Sequence, residues 1–210
     1  MVVSIHRFDI ASLPAMPWKN GGGTTREIAC LPVGAGLDDF DWRASIATID
    51  RSGPFSQFAG VDRVIMLLDG AGVRLRSGEG CIEHRLDRPH VPFAFAGDVA
   101  IDGELLGARS SDFNLMTRRA SVRADVRVLD ARVSLPPADA GLLLALRGCW
   151  RLQGGDAQRL DAHTGLWWDG RSQGWDASPA DTDTDIDTEA ALLLAIRLEK
   201  LHPSSDDTAP

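Results

Sequence analysis

Arginine, serine and asparagine recur at alternate positions in two short apolar stretches of this chain, a spacing that can hold a small organic acid. In "WRASIA" a period of two puts Arg43, Ser45 and Ala47 on one face of a strand and Trp42, Ala44 and Ile46 on the other. In "DFNLM" the same rule sets Asp112, Asn114 and Met116 against Phe113 and Leu115. An Asn beside an Asp on an interior face needs polar partners, which a ligand or the guanidinium groups of Arg43 and Arg63 would supply. Each pair is equally at home on a solvent face carrying a surface ion pair. If the site is catalytic, Asp112 is the first choice as general acid or base and His84 the second.

A third stretch, "MPWKNGGGTTREIA" from Met16 to Ala29, holds three consecutive glycines. Backbone of that kind marks either a slack linker or a place where something comes close to the main chain. "NGGGTTRE" lacks the GxxxxGK[ST] pattern of a P-loop, although its amides could cradle an anion. No GxSxG elbow occurs. The histidines are His6, His84, His90, His163 and His202, and none stands at the His-x-His spacing that aims two imidazoles at one metal. Adjacent Glu83 and His84 would point to opposite faces of a strand. Neither a metal nor another cofactor is expected.

The elements that must position these residues read as strands. "FDWRASIATI", "DRVIMLLDG", "GVRLRS", "CIEHRLD", "PFAFAGD" and "RADVRVLD" are short, β-rich and bounded by Gly, Pro or Asp. "GLLLALRGCWRL", "GLWWDG" and "EAALLLAIRLEK" continue the pattern. "SDFNLMTRRA" is the one segment that could pass for a turn of helix, and "LLLALR" fits buried strand or helix. Many short strands at close spacing predict a sandwich or barrel.

An internal repeat predicts that this unit is doubled. "VIMLLDGAGVRLRSGEG" (Val64–Gly80) resembles "LLLALRGCWRLQGGD" (Leu142–Asp156), and an Arg-Leu-Asp follows each, at Arg85–Asp87 and Arg159–Asp161. The expected organisation is a first barrel over 1–119 carrying the pocket, a degenerate second barrel over 120–201, and a disordered tail over 202–210. Five carboxylates fall between Asp181 and Glu189. A solvated connection accounts for them better than a calcium loop, because the central Gly and fixed ligand spacing of an EF-hand are missing.

Composition narrows the partners. The 210 residues carry 22 Lys and Arg against 30 Asp and Glu, a net charge of −8. Residues 1–119 hold 13 basic and 15 acidic side chains and residues 120–210 hold 9 and 15, so the acidity lies mostly in the second half. Nucleic acid and anionic membranes are unsuitable partners for such a chain. Cys30, Cys81 and Cys149 form no CxxC pair and are odd in number, which points to a reducing compartment rather than a disulfide framework. With no signal peptide readable in "MVVSIHRFDIASLP", a cytoplasmic protein is expected, and a homodimer is plausible.

Taken together, the segments resemble the HutD/Ves family, whose members are described as double-barrelled cupin-like proteins. The resemblance rests on "MPWKNGGGTTREIA", on "FDWRASIATIDRSGPFSQFAGVDRVIMLLDG" and on "FAFAGD…DFNLMTRR", which cover most of Ser12 to Arg119. Beyond that the match is one of general character. One departure is Ala59, where the family more often carries Pro, a change that touches loop stiffness. The resemblance implies an all-β, double-stranded β-helix (cupin-like) fold with two barrels in one chain (a bicupin). It also implies a metal-independent protein that binds a small anionic metabolite of histidine degradation, formylglutamate or urocanate, and modulates histidine utilisation. A metal-independent isomerase or hydrolase acting on a similar acid is the alternative.

On this reading the glycine stretch is a rim loop rather than a linker, because a linker would leave Trp18, Lys19 and Asn20 without a purpose. The bare amides of Gly21, Gly22 and Gly23, with the Asn20 side chain, would face the ligand. Lys19, Arg43 and Arg63 would supply positive charge, and Trp18 would cover the apolar part. Ser45, Phe93, Asp112, Asn114 and Met116 complete the expected ligand-binding set.

Overall fold

The computed structural model describes residues 3–78, 80–154, 158–180 and 190–201. The acidic tract at 181–189, with its calcium alternative, and the tail at 202–210 both lie outside the described residues. Nineteen strands run through the described residues, with one 3₁₀ turn at Ile10–Ser12 and no α-helix. They are β1 (Ser4–Asp9), β2 (Ala15–Pro17), β3 (Gly23–Leu31), β4 (Trp42–Ile49), β5 (Gly53–Phe55), β6 (Val61–Gly70) and β7 (Val73–Ser77). There follow β8 (Glu83–Leu86), β9 (Phe93–Ala96), β10 (Ile101–Leu105), β11 (Ser110–Arg118), β12 (Val122–Leu129) and β13 (Val133–Leu135). The last six are β14 (Ala140–Arg147), β15 (Trp150–Gln153), β16 (Gln158–Leu160), β17 (Thr164–Asp169), β18 (Trp175–Pro179) and β19 (Leu192–Lys200).

The two segments that could have been helical are strands. "SDFNLMTRRA" forms β11 and "LLLALR" lies in β14. Both are central, with a partner on each side (β4 and β6 for β11, β17 and β19 for β14), and both are buried on both faces. Continuous burial of that kind removes the polar–apolar alternation that would have distinguished strand from helix in the sequence.

Four antiparallel sheets result, stacked so that three apolar layers separate them. The first outer sheet has the order β5-β10-β7-β8 and faces the first inner sheet, β2-β3-β4-β11-β6-β9. Ile49, Ile65, Leu67, Val73, Leu75 and Ile101 fill the space between these two. The second inner sheet, β1-β17-β14-β19-β12, faces the second outer sheet, β13-β18-β15-β16, across a core rich in Trp150, Trp168 and Trp175. The two inner sheets meet through Trp42, Ala44, Phe113, Leu115, Leu142 and Ile196. All four sheets are open, each ending in edge strands.

The internal repeat appears as topology. Adding eight to each strand number turns β5-β10-β7-β8 into β13-β18-β15-β16, and β4-β11-β6-β9 into β12-β19-β14-β17. The repeated Arg-Leu-Asp closes the same ion pair in both copies, Arg85 Nε to Asp87 and Arg159 Nε to Asp161, each at 2.8 Å. The expected division at 119 falls in the turn between β11 and β12. One strand crosses it: β1 pairs along its whole length with β17, from Ser4 opposite Asp169 to Asp9 opposite Thr164.

Candidate ligand-binding site

The period-two reading of β4 and β11 holds, and register converts it into rows of facing side chains. Arg43 of β4 and Arg63 of β6 stand on either side of Met116 of β11. One rung along, Ser45 and Ile65 flank Asn114, and one further Ala47 and Leu67 flank Asp112. These side chains point between the first inner and outer sheets, while Trp42, Ala44, Ile46, Phe113 and Leu115 point into the layer between the inner sheets. A strand places the two arginines on one face, and the strand between them holds them about 10 Å apart at the backbone. Their long side chains then converge.

A cavity of about 520 Å³ opens over the first two rungs and continues along β4 past Ala47 to Ile49. Its polar groups are those of Lys19, Asn20, Thr25, Arg43, Ser45, Ser56, Arg63 and Asn114, and its apolar wall includes Trp18, Phe55, Phe58 and Met116. Eight of the expected residues therefore meet in one place: Trp18, Lys19, Asn20, Arg43, Ser45, Arg63, Asn114 and Met116. Its size and its mix of an aromatic wall with a few convergent polar groups suit a small-molecule site.

The two arginines are held differently. Arg43, 8% exposed, donates from Nε to Glu27 Oε2 at 2.8 Å and from Nη1 to the Ser45 hydroxyl at 3.4 Å. A bulge in β3 between Glu27 and Ala29 breaks the pairing register beside this carboxylate. Arg63, 7% exposed, donates from Nη2 to Asn114 Oδ1 at 3.1 Å and from Nη1 to the Ser56 carbonyl at 3.3 Å, and its Nε has no partner. Among the described residues no Asp or Glu pairs with it. The Phe55, Phe58 and Phe95 rings surround the guanidinium, with centroids 5.6, 5.7 and 5.1 Å away. Burial, with Arg43 close by, pulls Arg63 down to about 10, so it stays charged at neutral pH. A desolvated cation without a counter-ion is costly, and a bound carboxylate would relieve that cost.

The glycine loop does a different job from the one expected. Two of its amides are already used: Gly21 donates to the Trp18 carbonyl and Gly22 to Asn20 Oδ1, each at 2.9 Å. The loop is thus an internally bonded turn joining β2 to β3. Gly21 has φ +65°, a left-handed conformation. At Gly23 a Cβ would lie 2.2 Å from the Thr48 carbonyl oxygen, so β3 approaches β4 there too closely for any side chain. Gly21, Gly22 and Gly23 do not line the cavity; they present Trp18 and Asn20 to it, and Trp18 is fixed by its indole N–H donating to Thr25 Oγ1 at 2.7 Å.

Three other expectations are corrected by position. Asp112 shares the face of Asn114 and Met116 but lies four residues from Met116, about 13 Å along the strand, outside the cavity lining. It is fully buried, accepts from the Ser110 hydroxyl at 2.9 Å, and leaves Oδ2 unpartnered, and burial pushes its carboxyl up to about 7. His84 and Phe93 stack on each other at 3.7 Å between β8 and β9, the edge strands of the two facing sheets, away from the cavity. Burial lowers the affinity of His84 for its proton. Sequence reasoning missed Phe55, Phe58 and Glu27. The first lies in β5, Gly53–Phe55, three residues that are too few to show a period. Among the described residues no group of three or more His, Cys, Asp or Glu gathers as a metal site. No helix there is long and apolar enough to cross a membrane.

Comparison with known proteins places this architecture. Protein Ves of Cronobacter sakazakii is 44% identical over 162 residues, covering 77% of this chain and 85% of that protein. A conserved protein of unknown function from Pseudomonas aeruginosa PAO1 superposes with a TM-score of 0.80 at 34% identity, over 93% of this chain and 99% of the other. HutD from Pseudomonas fluorescens SBW25, solved in a formate condition, gives a TM-score of 0.77 at 32% identity, over 95% and 100% of the two chains. The HutD family model matches residues 10–191, a span that takes in the first copy of the repeated sheet pair, all of the second except β19, and every group lining the cavity, and the chain belongs to that family.

Proposed function

We propose that this protein is a metal-independent, bicupin-type binder of a small carboxylate metabolite of histidine degradation, formylglutamate or urocanate, through which it modulates histidine utilisation. Membership of the HutD family supports the link to that pathway. The observation that carries the binding reading is Arg63, a buried guanidinium with no carboxylate partner beside a cavity that a second arginine also enters. A carboxylate bridging Arg43 and Arg63 would supply the missing negative charge, and Trp18, Phe55 and Phe58 would cover the apolar remainder. Among the described residues no Asp, Glu, His or Cys lines the cavity. That absence favours binding over the enzymatic alternative, since Asp112 and His84 both lie elsewhere. Titration calorimetry with formylglutamate and urocanate tests the proposal. Saturable heat with no product by NMR is the expected result, and no heat with either acid at millimolar concentration would refute it.

A further inference from the structure

The repeated topology covers one side of the molecule and leaves the equivalent side bare. Strands β4 and β17 come together where Trp42 and Trp167 meet edge to face, with ring centroids 6.1 Å apart. On that side β3 pairs with β4 and β1 pairs with β17, so both outer edges are covered. The repeat makes β12 the counterpart of β4 and β9 the counterpart of β17. These two line one groove, to which β12 gives Val122, Arg123 and Ala124 and β9 gives Ala94 and Phe95. Among the described residues no strand pairs with the outer edge of either.

Strand β12 is the longer edge. It runs for eight residues, against six in β1 and three or four in the other edge strands. Its pairing with β19 is regular from Val122 to Leu129, and it contains no Pro, Gly or Lys. Soluble proteins blunt such edges with short length, bulges, Pro or like charge, because a free row of N–H and C=O groups recruits another strand. Here the charges alternate in sign. Arg123, Asp125 and Arg127 are exposed on one face, and Ala124, Val126 and Val128 are half-buried on the other.

That order complements itself. Two copies of β12 related by a two-fold axis pair antiparallel, with residues of the same face opposite each other. An axis through Asp125 would set Asp125 against itself and Arg123 against Arg127, opposing like charges. An axis through Val126 instead sets Asp125 of each copy against Arg127 of the other. Asp125 already has Arg197 of β19 at 3.7 Å on its inner side, so the row continues with alternating sign. The same register sets Val126 against Val126 and Ala124 against Val128, extending the apolar row that packs on the core between the inner sheets. We propose that β12 is a homodimer interface, at which two chains pair edge to edge about Val126 and join their second inner sheets into one. None of the residues lining the cavity lies on β9 or β12, so this surface is separate from the ligand site.

Sedimentation equilibrium of the full chain from about 1 to 100 µM tests the proposal. Wild type is expected to reach the mass of two chains. Asp125→Arg and Arg127→Asp each oppose like charges across the two-fold axis and are expected to weaken the dimer at least about ten-fold. Mixed in equal amounts, the two variants restore both ion pairs and are expected to associate with each other. Recovery on mixing separates a broken contact from a damaged fold. A dimer that the single variants leave intact, or that mixing fails to restore, would overturn the proposal. So would a wild-type monomer at every concentration, in which slow hydrogen exchange at the outward amides of β12 would assign the edge to another segment of the chain.

Discussion

The buried carboxyl of Asp112 makes a quantitative prediction about stability against pH. Burial raises it from the ordinary 3.8 to about 7, and a hydrogen bond from Ser110 only partly offsets that rise. The folded state therefore binds the proton more tightly than the unfolded chain, so this group's contribution is full below about pH 4 and is lost as pH rises through 7. At about 1.4 kcal/mol per pH unit, a difference of roughly three units makes the ionised side chain cost about 4 kcal/mol above pH 7. Asp112→Asn keeps the shape, does not titrate, and removes that cost. At pH 5, already above the unfolded value of 3.8, the Asn variant should be more stable by about 1.6 kcal/mol, and at pH 8 by about 4 kcal/mol. For a chain of this length the gap amounts to about 10 °C in Tm. Urea unfolding of both proteins at pH 5, 6, 7 and 8 measures it, and other titrating groups cancel in the difference. A gap that stays flat from pH 5 to pH 8 would refute the assignment of Asp112 as a neutral buried acid.

Arg63→Met should abolish acid binding while raising stability by about 1 to 3 kcal/mol, because an unpaired cation leaves the interior; calorimetry and urea unfolding report the two effects separately. Glu27→Gln removes the carboxylate that competes for Arg43 and should tighten acid binding several-fold, with a stability change under about 1 kcal/mol because the pair is partly exposed. Gly23→Ala forces a methyl group against the Thr48 carbonyl and should destabilise by about 1 to 3 kcal/mol, read as a lowered Tm.

What could be read in advance was direction. The alternation in "WRASIA" and "DFNLM" is imposed by backbone geometry, so the faces of Arg43, Ser45, Asn114 and Met116 followed from spacing alone. Depth could not be read this way. Period two groups Asp112 with Asn114, but it does not say which rung a cavity reaches, and two rungs separate Asp112 from the arginines. The glycine loop was misjudged for a related reason: three bare amides look available until the turn's own bonds to Trp18 and Asn20 are drawn. His84 and Phe93 both face inward, yet at the opposite edge of the sheet pair, and which edge opens depends on strands far apart in the chain. The pairing of β1 with β17 has no local signature at all.

That last pairing has a consequence for how the protein is made. Strand β1 leaves the ribosome about 160 residues before its partner, so at roughly 5–20 residues per second it waits about 10 to 30 s. Apart from Phe8 its side chains stay open to water even in the finished structure, so little apolar surface is exposed during the wait. When β17 arrives, β1 docks as a clasp that fastens an earlier-made strand to one made much later. The two halves are thus not independent units, and an expression fragment starting after the turn at residue 119 would present β17 as a bare sheet edge.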